Sequence, residues 1–241
     1  MTVHHHWIAV TGLPSQFFGY DRLTPVPKVE YRPYTHGEVK LLSDKSVASE
    51  VKYEITLDGI RTNFAKSELY FDDFQFILVL RLLSTVETND FEVDFPDSDG
   101  ASKRQAFNLR DVEFEDVRVK ALPLKFQLSN GDFVRLTLPT LGHLAQLEQL
   151  GLGDDLIHKY VLPPDVAAMR EFVAQLGEPD AQALEQVIYE YLMLDAVVHP
   201  KLSRTDPNEE QKEGRVVVAV DSVFPFRSAP RDLASRISFD A

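Results

Sequence analysis

Three acids, Glu113, Glu115 and Asp116, are the closest this chain comes to a paired-carboxylate centre. Two carboxyl groups flanking a scissile bond, one protonated and one ionised, are what a glycosidase uses. An acid-pair hydrolase of unknown substrate is therefore one reading. The same acids alternate with Val112, Phe114 and Val117, which marks the solvent side of a strand more simply. Adjacent Ser43, Asp44 and Lys45 lack the geometry of a nucleophile with its base, and there is no Gly-x-Ser-x-Gly elbow.

Metal chemistry fares no better. His4, His5 and His6 are consecutive, so in extended chain they point to alternate sides and do not converge on one ion. His143 and His158 lack a His-Glu-x-x-His spacing and read as surface or capped core histidines. Asp97-Ser98-Asp99-Gly100 resembles part of an EF-hand loop, but the register puts Phe95 at the first ligand position, so a polar turn is expected. Gly151-Leu152-Gly153 is no nucleotide fingerprint and should end one helix and begin the next near Asp154 or Asp155. Catalytic residues, metal ligands and cofactor sites are all expected to be absent, and the chain is read as a non-enzyme.

Composition narrows the classes further. The 241 residues are 44% hydrophobic and 26% charged, ordinary for a globular protein with a real core. A formal net charge of −13 makes nucleic acid and anionic membrane poor partners; basic protein surfaces suit it better. No apolar run approaches a membrane span. The start MTVHHHWIAV has no basic stretch leading into an apolar core, so no secretory signal is expected. The absence of cysteine excludes disulfides, zinc ribbons and thiolate nucleophiles.

The elements that would position these residues follow from periodicity. Residues 1–34 hold Pro14, Pro25, Pro27 and Pro33, which block helix; an extended arm with one strand near 26–32 is expected. Thr35-His36-Gly37-Glu38 predicts a capping box, a break near 43–46, and a second helix ending at Gly59. Segment 68–86 is apolar nearly all round and predicts a buried helix, with Asp72 and Asp73 at its positive end. Phe91, Val93 and Phe95 predict a strand, and Ser129-Asn130-Gly131-Asp132 between two apolar runs predicts a hairpin. Beyond Pro139 the pattern is helical over 141–150, 154–161, 164–176 and 180–198, then polar, with a strand-like run at 216–220. The fold class is α+β: a small mixed or antiparallel sheet with a buried helix, then a helical subdomain, with extended N- and C-terminal arms. The divisions are an arm at 1–34, an α+β body at 35–140, a helical subdomain at 141–198 and a tail at 199–241. Phe74, Leu78, Leu82, Phe126 and Leu136 are the expected core.

Trp7, Phe17, Phe18 and Tyr20 in the leader, and Phe224 and Phe226 in the tail, lie outside the periodic pattern. Such rings anchor interfaces well, so all six are candidate partner-binding residues. The leader folding back to cap its own core is the other possibility.

The order of features carries a resemblance. A Leu13-Pro14-Ser15 leader precedes an aromatic patch. An Arg32-Pro33-Tyr34-Thr35 step leads into a Glu-x-Lys-Leu-Leu helix at 38–42. An acid-started helix with Leu80-Arg81-Leu82-Leu83-Ser84 follows, then a hairpin ending in Leu138-Pro139-Thr140 and a helical half. Over roughly 12–198 the chain resembles the baseplate hub and tail assembly proteins of T-even-like contractile-tailed bacteriophages. The resemblance implies a structural component of the tail baseplate, hetero-oligomeric with other tail and baseplate proteins, assembled in the host cytoplasm and carried in the virion. An assembly chaperone absent from the mature virion is the alternative it leaves open. Relatives often carry cysteine pairs after the Leu-Arg-x-x-Ser helix; residues 96–104 stand there instead, so a metal-stabilised ribbon is not expected.

Overall fold

The apolar segment becomes α3, Phe71–Leu83. It lies at the centre of a computed structural model that describes residues 6–86, 90–97, 99–153, 155–162, 169–202 and 214–218. Phe74, Ile77, Leu78 and Leu82 on α3 are at most 2% exposed. An all-round apolar helix has no face for water, so other elements must wrap it.

The first wrap is a three-stranded antiparallel sheet of β1 (Ile8–Ala9), β2 (Val29–Tyr31) and β3 (Ile60–Thr62), in that order. Tyr31 sits opposite both Ile8 and Ile60. This corrects the expected boundary at residue 34. The leader is extended, as its prolines require, but its described part belongs to the body. Proline removes one donor without preventing its neighbours from pairing, and buried Val29 and Tyr31 anchor the strand.

Between β2 and β3 lie α1 (His36–Ser43) and α2 (Ser49–Asp58). The capping box is present: Thr35 Oγ1 accepts from the Glu38 amide at 3.2 Å, and Glu38 accepts from the Thr35 amide at 2.8 Å. Arg32 donates to both oxygens of Glu38, at 2.7 and 2.5 Å. Helix α2 ends at Gly59, where any Cβ would overlap the Arg81 guanidinium.

Strands β4 (Asp90–Pro96) and β5 (Ser102–Asn108) pair in full antiparallel register, turning at Gly100 with φ 76°. Strand β6, Glu113–Phe114, is much shorter than the β-like sequence around it. The predicted hairpin is β7 (Leu124–Gln127) and β8 (Phe133–Leu136), with Gly131 at φ 92°. Leu136 is fully buried there, whereas Phe126 is only half-buried, correcting its place in the expected core.

Helix α4, Leu141–Gln149, is tied to the start of α3: Phe71 N–H donates to Pro139 O at 2.8 Å, and Leu141 N–H to Leu69 O at 2.9 Å. It ends as the glycines predict. Gly151 adopts φ 67°, its N–H donates to Glu148 O, and Leu152 N–H reaches back to Leu147 O, a Schellman ending. Asp155 then caps α5, Leu156–Tyr160. Helices α6 (Met169–Gln175) and α7 (Glu178–Val187) follow, α7 running into a π-helical turn at Ile188–Leu192.

The expected helix to residue 198 stops short. Residues Ala196–Val198 form β9, which lies between β6 and β10 (Val216–Val217) in a second antiparallel sheet. Two adjacent valines favour a pleated strand with partners on both sides. The C-terminal part therefore returns to the body, and neither residue 140 nor residue 198 bounds a separate unit. One continuous core runs from Val10 to Val218. The α+β class stands.

Two measurements check this framework. Leu78→Ala, truncating a side chain 2% exposed, should lower the unfolding free energy by about 2–5 kcal/mol in urea titration; a loss near zero would remove α3 as the core element. Burial opposes ionisation of Glu38, but Arg32 and the Thr35 amide outweigh it and hold its pKa down to about 2. A depressed carboxyl contributes stability above its ordinary pKa and loses it as pH falls through the folded value. Glu38→Gln should therefore destabilise at pH 7, with the difference from wild type shrinking as pH falls from about 4.5 towards 2.

Candidate interaction site

The leader is held down by one carboxylate. Asp73, in the first turn of α3, accepts from the Ser15 amide at 2.9 Å, from Ser15 Oγ at 2.6 Å and from Tyr20 Oη at 2.8 Å. Tyr20 Oη in turn accepts from the Tyr70 amide at 2.8 Å. Ser15 and Asp73 are fully buried and Tyr20 is 1% exposed. To reach Asp73 the chain bends through left-handed backbone at Gln16 (φ 52°), Phe17 (φ 61°) and Gly19 (φ 84°). Non-glycine residues there cost about 1 kcal/mol or more each. Three hydrogen bonds to a charged group, at about 1.5–3 kcal/mol each, outweigh that strain.

Beside Asp73 lies Asp72, 8% exposed, whose Oδ2 has no hydrogen-bond partner among the described residues. Burial, then the neighbouring Asp73 charge, pushes the Asp72 carboxyl up to about 8. Burial pushes Asp73 up to about 6, against the opposing pull of its Ser15 and Tyr20 bonds. A neutral acid beside an ionisable one is the electronic arrangement of an acid–base pair. Here Asp73 is engaged in holding the leader, through its bonds from Ser15 and Tyr20.

Sequence reasoning placed these two acids at the positive end of a helix dipole and missed their burial. The signal was present: Ser15 and Tyr20 are the polar groups of the Leu-Pro-Ser leader and its aromatic patch. Their distance from Asp73, 58 and 53 residues, hid the pairing.

The other acids behave differently. Glu113 is exposed, with Oε2 3.7 Å from His199 Nε2. Glu115 accepts from Arg118 at 2.8 Å and from Arg215 at 2.7 Å. Asp116 is exposed. His143 Nε2 lies 2.9 Å from His158 O, and His158 is buried with Nδ1 2.7 Å from Asp155. Burial pushes the His143 pKa down. His6 is exposed, while His4 and His5 lie outside the described residues. Among the described residues, no three His, Cys, Asp or Glu side chains gather to hold a metal ion, and no helix is long and apolar enough to cross a membrane.

The candidate partner-binding residues separate. Tyr20 is core, stacked on Phe64 with centroids 4.8 Å apart, so its proposed place at an interface is corrected: its hydroxyl is drawn inward by Asp73. Phe17 and Phe18 are half-buried and pack on the core, Phe17 edge-on to Tyr20 at 6.4 Å. Trp7 is half-buried, with the Arg61 guanidinium 3.8 Å above its ring. Phe224 and Phe226 lie outside the described residues.

The bent leader lines part of an open groove of about 750 Å³. Phe76 and Leu80, one turn apart on α3, contribute to its lining; Val10 and Phe17 line one side, Val112 and Phe114 the other. Phe76 meets Phe114 edge-on at 5.2 Å. Strand β1 ends one sheet and β6 ends the other, so two sheet edges border a slot whose lining mixes apolar side chains with Thr11, Gln16 and Asp116. Sheet edges accept extended chain.

No protein-family model, curated protein or solved structure matches the chain.

The buried pair yields a pH prediction. A carboxyl whose folded pKa is raised makes the fold most stable below its unfolded pKa, and that stability is lost as pH rises through the folded value. For Asp72 the window runs from 3.8 to about 8. Asp72→Asn keeps the shape of the neutral acid without its ionisation. It should raise stability by several kcal/mol at pH 8 and by almost nothing at pH 3. Urea titrations at the two pH values check this; a pH-independent difference would contradict the assignment.

Proposed function

We propose that this chain is a non-enzymatic structural component of a contractile phage tail baseplate, in the hub region, and that it binds neighbouring tail proteins through its body and terminal segments. One observation supports the reading beyond the order of motifs itself: the motifs that carry the resemblance meet around α3. Ser15 of the Leu-Pro-Ser leader bonds Asp73 of the acid-started helix. Arg81 of Leu-Arg-Leu-Leu-Ser donates to Arg32 O of the Arg-Pro-Tyr-Thr step at 2.8 Å, and its guanidinium lies 3.8 Å over the Tyr34 ring. Arg32 pairs with Glu38 of the following helix, and Pro139 O accepts from Phe71 at the start of α3. Most of these contacts join one motif to another, which is what a rigid assembly subunit needs.

The test is peptide mass spectrometry of purified contractile-tailed particles, paired with immunogold labelling by antibody raised against the chain. Peptides of this protein in intact particles, with gold at the distal end of the tail, are expected. Peptides in the infected-cell lysate but not in particles would replace the structural role with that of an assembly chaperone. Gold on the capsid would overturn both.

A further inference from the structure

We infer that the leader, residues 11–23, is a strap locked by Asp73 and released when its neighbour Asp72 gains a negative charge. The inference concerns the free chain and is independent of the baseplate reading.

The hydrogen bonds of the lock have a direction. Tyr20 Oη accepts from the Tyr70 amide, so its own hydrogen goes to Asp73. Ser15 Oγ accepts from the Phe17 amide at 3.2 Å, so its hydrogen also goes to Asp73. The Ser15 amide is the third donor. A carboxyl group that receives three donors is held in its ionised form, so a single negative charge on this pair sits on Asp73. Asp72 is the reverse case. Its Oδ2 has no partner among the described residues, and its neutral form is the one that fits. A second charge would also lack a counter-ion: among the described residues, no Lys, Arg or His bonds to either carboxyl. The groups facing Asp72 are Asp73 on its own helix, Asp195 beyond the π-helical turn and the Tyr160 phenol on α5. Asp195 is itself paired with Arg215 at 3.0 Å. Those facing Asp73 are Ser15 and Tyr20 of the leader and Tyr70 just before α3. Two adjacent buried charges without a cation require water.

Which element gives way follows from how each is held. Next to α5, Thr137 N–H donates to Tyr160 O and Leu162 N–H to Arg135 O, while β9, just past Asp195, has a strand on both sides. Residues 11–23 belong to no strand. Besides the Asp73 and Tyr70 bonds, their polar ties to the body are Val117 N–H to Pro14 O at 2.8 Å and an exposed Arg22–Glu68 pair at 3.4 Å. The left-handed backbone at Gln16 and Phe17 is strained and relaxes on release. Opening the leader therefore brings water to the pair while breaking the fewest backbone bonds. The sign follows from the raised Asp72 value. An opened pair ionises more easily than a closed one, so opening becomes easier as pH rises from the ordinary carboxyl range through about 8. Each pH unit inside that window multiplies the opening constant by up to about ten.

Hydrogen exchange by mass spectrometry on the full-length chain tests this at about pH 6.5 and about pH 8, with rates corrected for the intrinsic pH dependence of amide exchange. Both values lie above the value of about 6 to which burial pushes Asp73, so Asp72 is the group that changes between them. Corrected exchange over residues 13–20 should be about tenfold faster at the higher pH. Asp72→Asn, neutral at both values, should abolish the increase. Ser15→Ala removes one bond to Asp73 and leaves Asp72 in place; it should speed leader exchange at both values and keep the increase. Thermal melting confirms that both variants are folded. Equal corrected rates in the wild type, or an increase that survives Asp72→Asn, would overturn the inference. Leader exchange unaffected by Ser15→Ala would also overturn it, by removing Asp73 as the lock. An increase over residues 156–162 or 196–198 with residues 13–20 still protected would mean that α5 or β9 yields instead of the leader. An equal increase over residues 71–83 would mean global unfolding in place of a strap.

Discussion

A buried arginine organises this protein. Arg81 is fully buried near the end of α3. Burying an unpaired charge costs several kcal/mol; two of its three nitrogens find acceptors, while Nη2 has none among the described residues. Nε donates to Arg32 O at 2.8 Å, Nη1 donates to Thr56 O at 2.5 Å, and the guanidinium lies over the Tyr34 ring. Charge-assisted bonds of about 1.5–3 kcal/mol each, and a desolvated cation–π contact of about 2 kcal/mol, together offset that cost. The consequence is positional. The end of β2, the entry to α1 and the last turn of α2 are fixed to one side chain. Gly59 is required beside it because the guanidinium fills the space a Cβ would take.

The other end of α3 works by the opposite charge. Asp73 draws Ser15 and Tyr20 inward and makes a proline-rich leader part of the core. Its cost appears at Asp72, which is buried with an unpartnered oxygen and a raised pKa. One helix therefore carries a buried cation and a buried acid pair, and each converts a stretch without periodicity into defined structure. Much of the specificity of this fold lies in polar bonds inside an apolar core, where an unmet donor is most expensive.

Those bonds also shape the outer surface. The left-handed bend at Gln16 and Phe17 exists because Asp73 holds both sides of it. That bend raises Phe17 as a wall of the groove between the two sheets. The slot bordered by β1 and β6 thus depends on how the buried carboxylate holds the leader. Phe76 and Leu80 of α3 contribute to its lining.

The elements with local signals were legible in the residues themselves. The Thr35–Glu38 capping box, the Asn130-Gly131 hairpin and the Gly151 helix end all formed as their types demand, because each depends on contacts within a few residues. Segment 68–86 announced its burial by being apolar on every side. Composition, charge and the lack of cysteine set the class. What needed the tertiary structure was everything decided at long range. Ala196–Val198 is a strand because β6, some eighty residues earlier, lies beside it, and a helical stretch upstream gave no warning. Tyr20 is core because Asp73 sits 53 residues away; nothing in its Pro-rich surroundings distinguishes it from half-buried Phe17. Acidic residues look alike in sequence. Only the packed chain decided that Asp72 and Asp73 are enclosed and shifted while Glu113 and Asp116 face water, because desolvation is a property of the assembled surroundings.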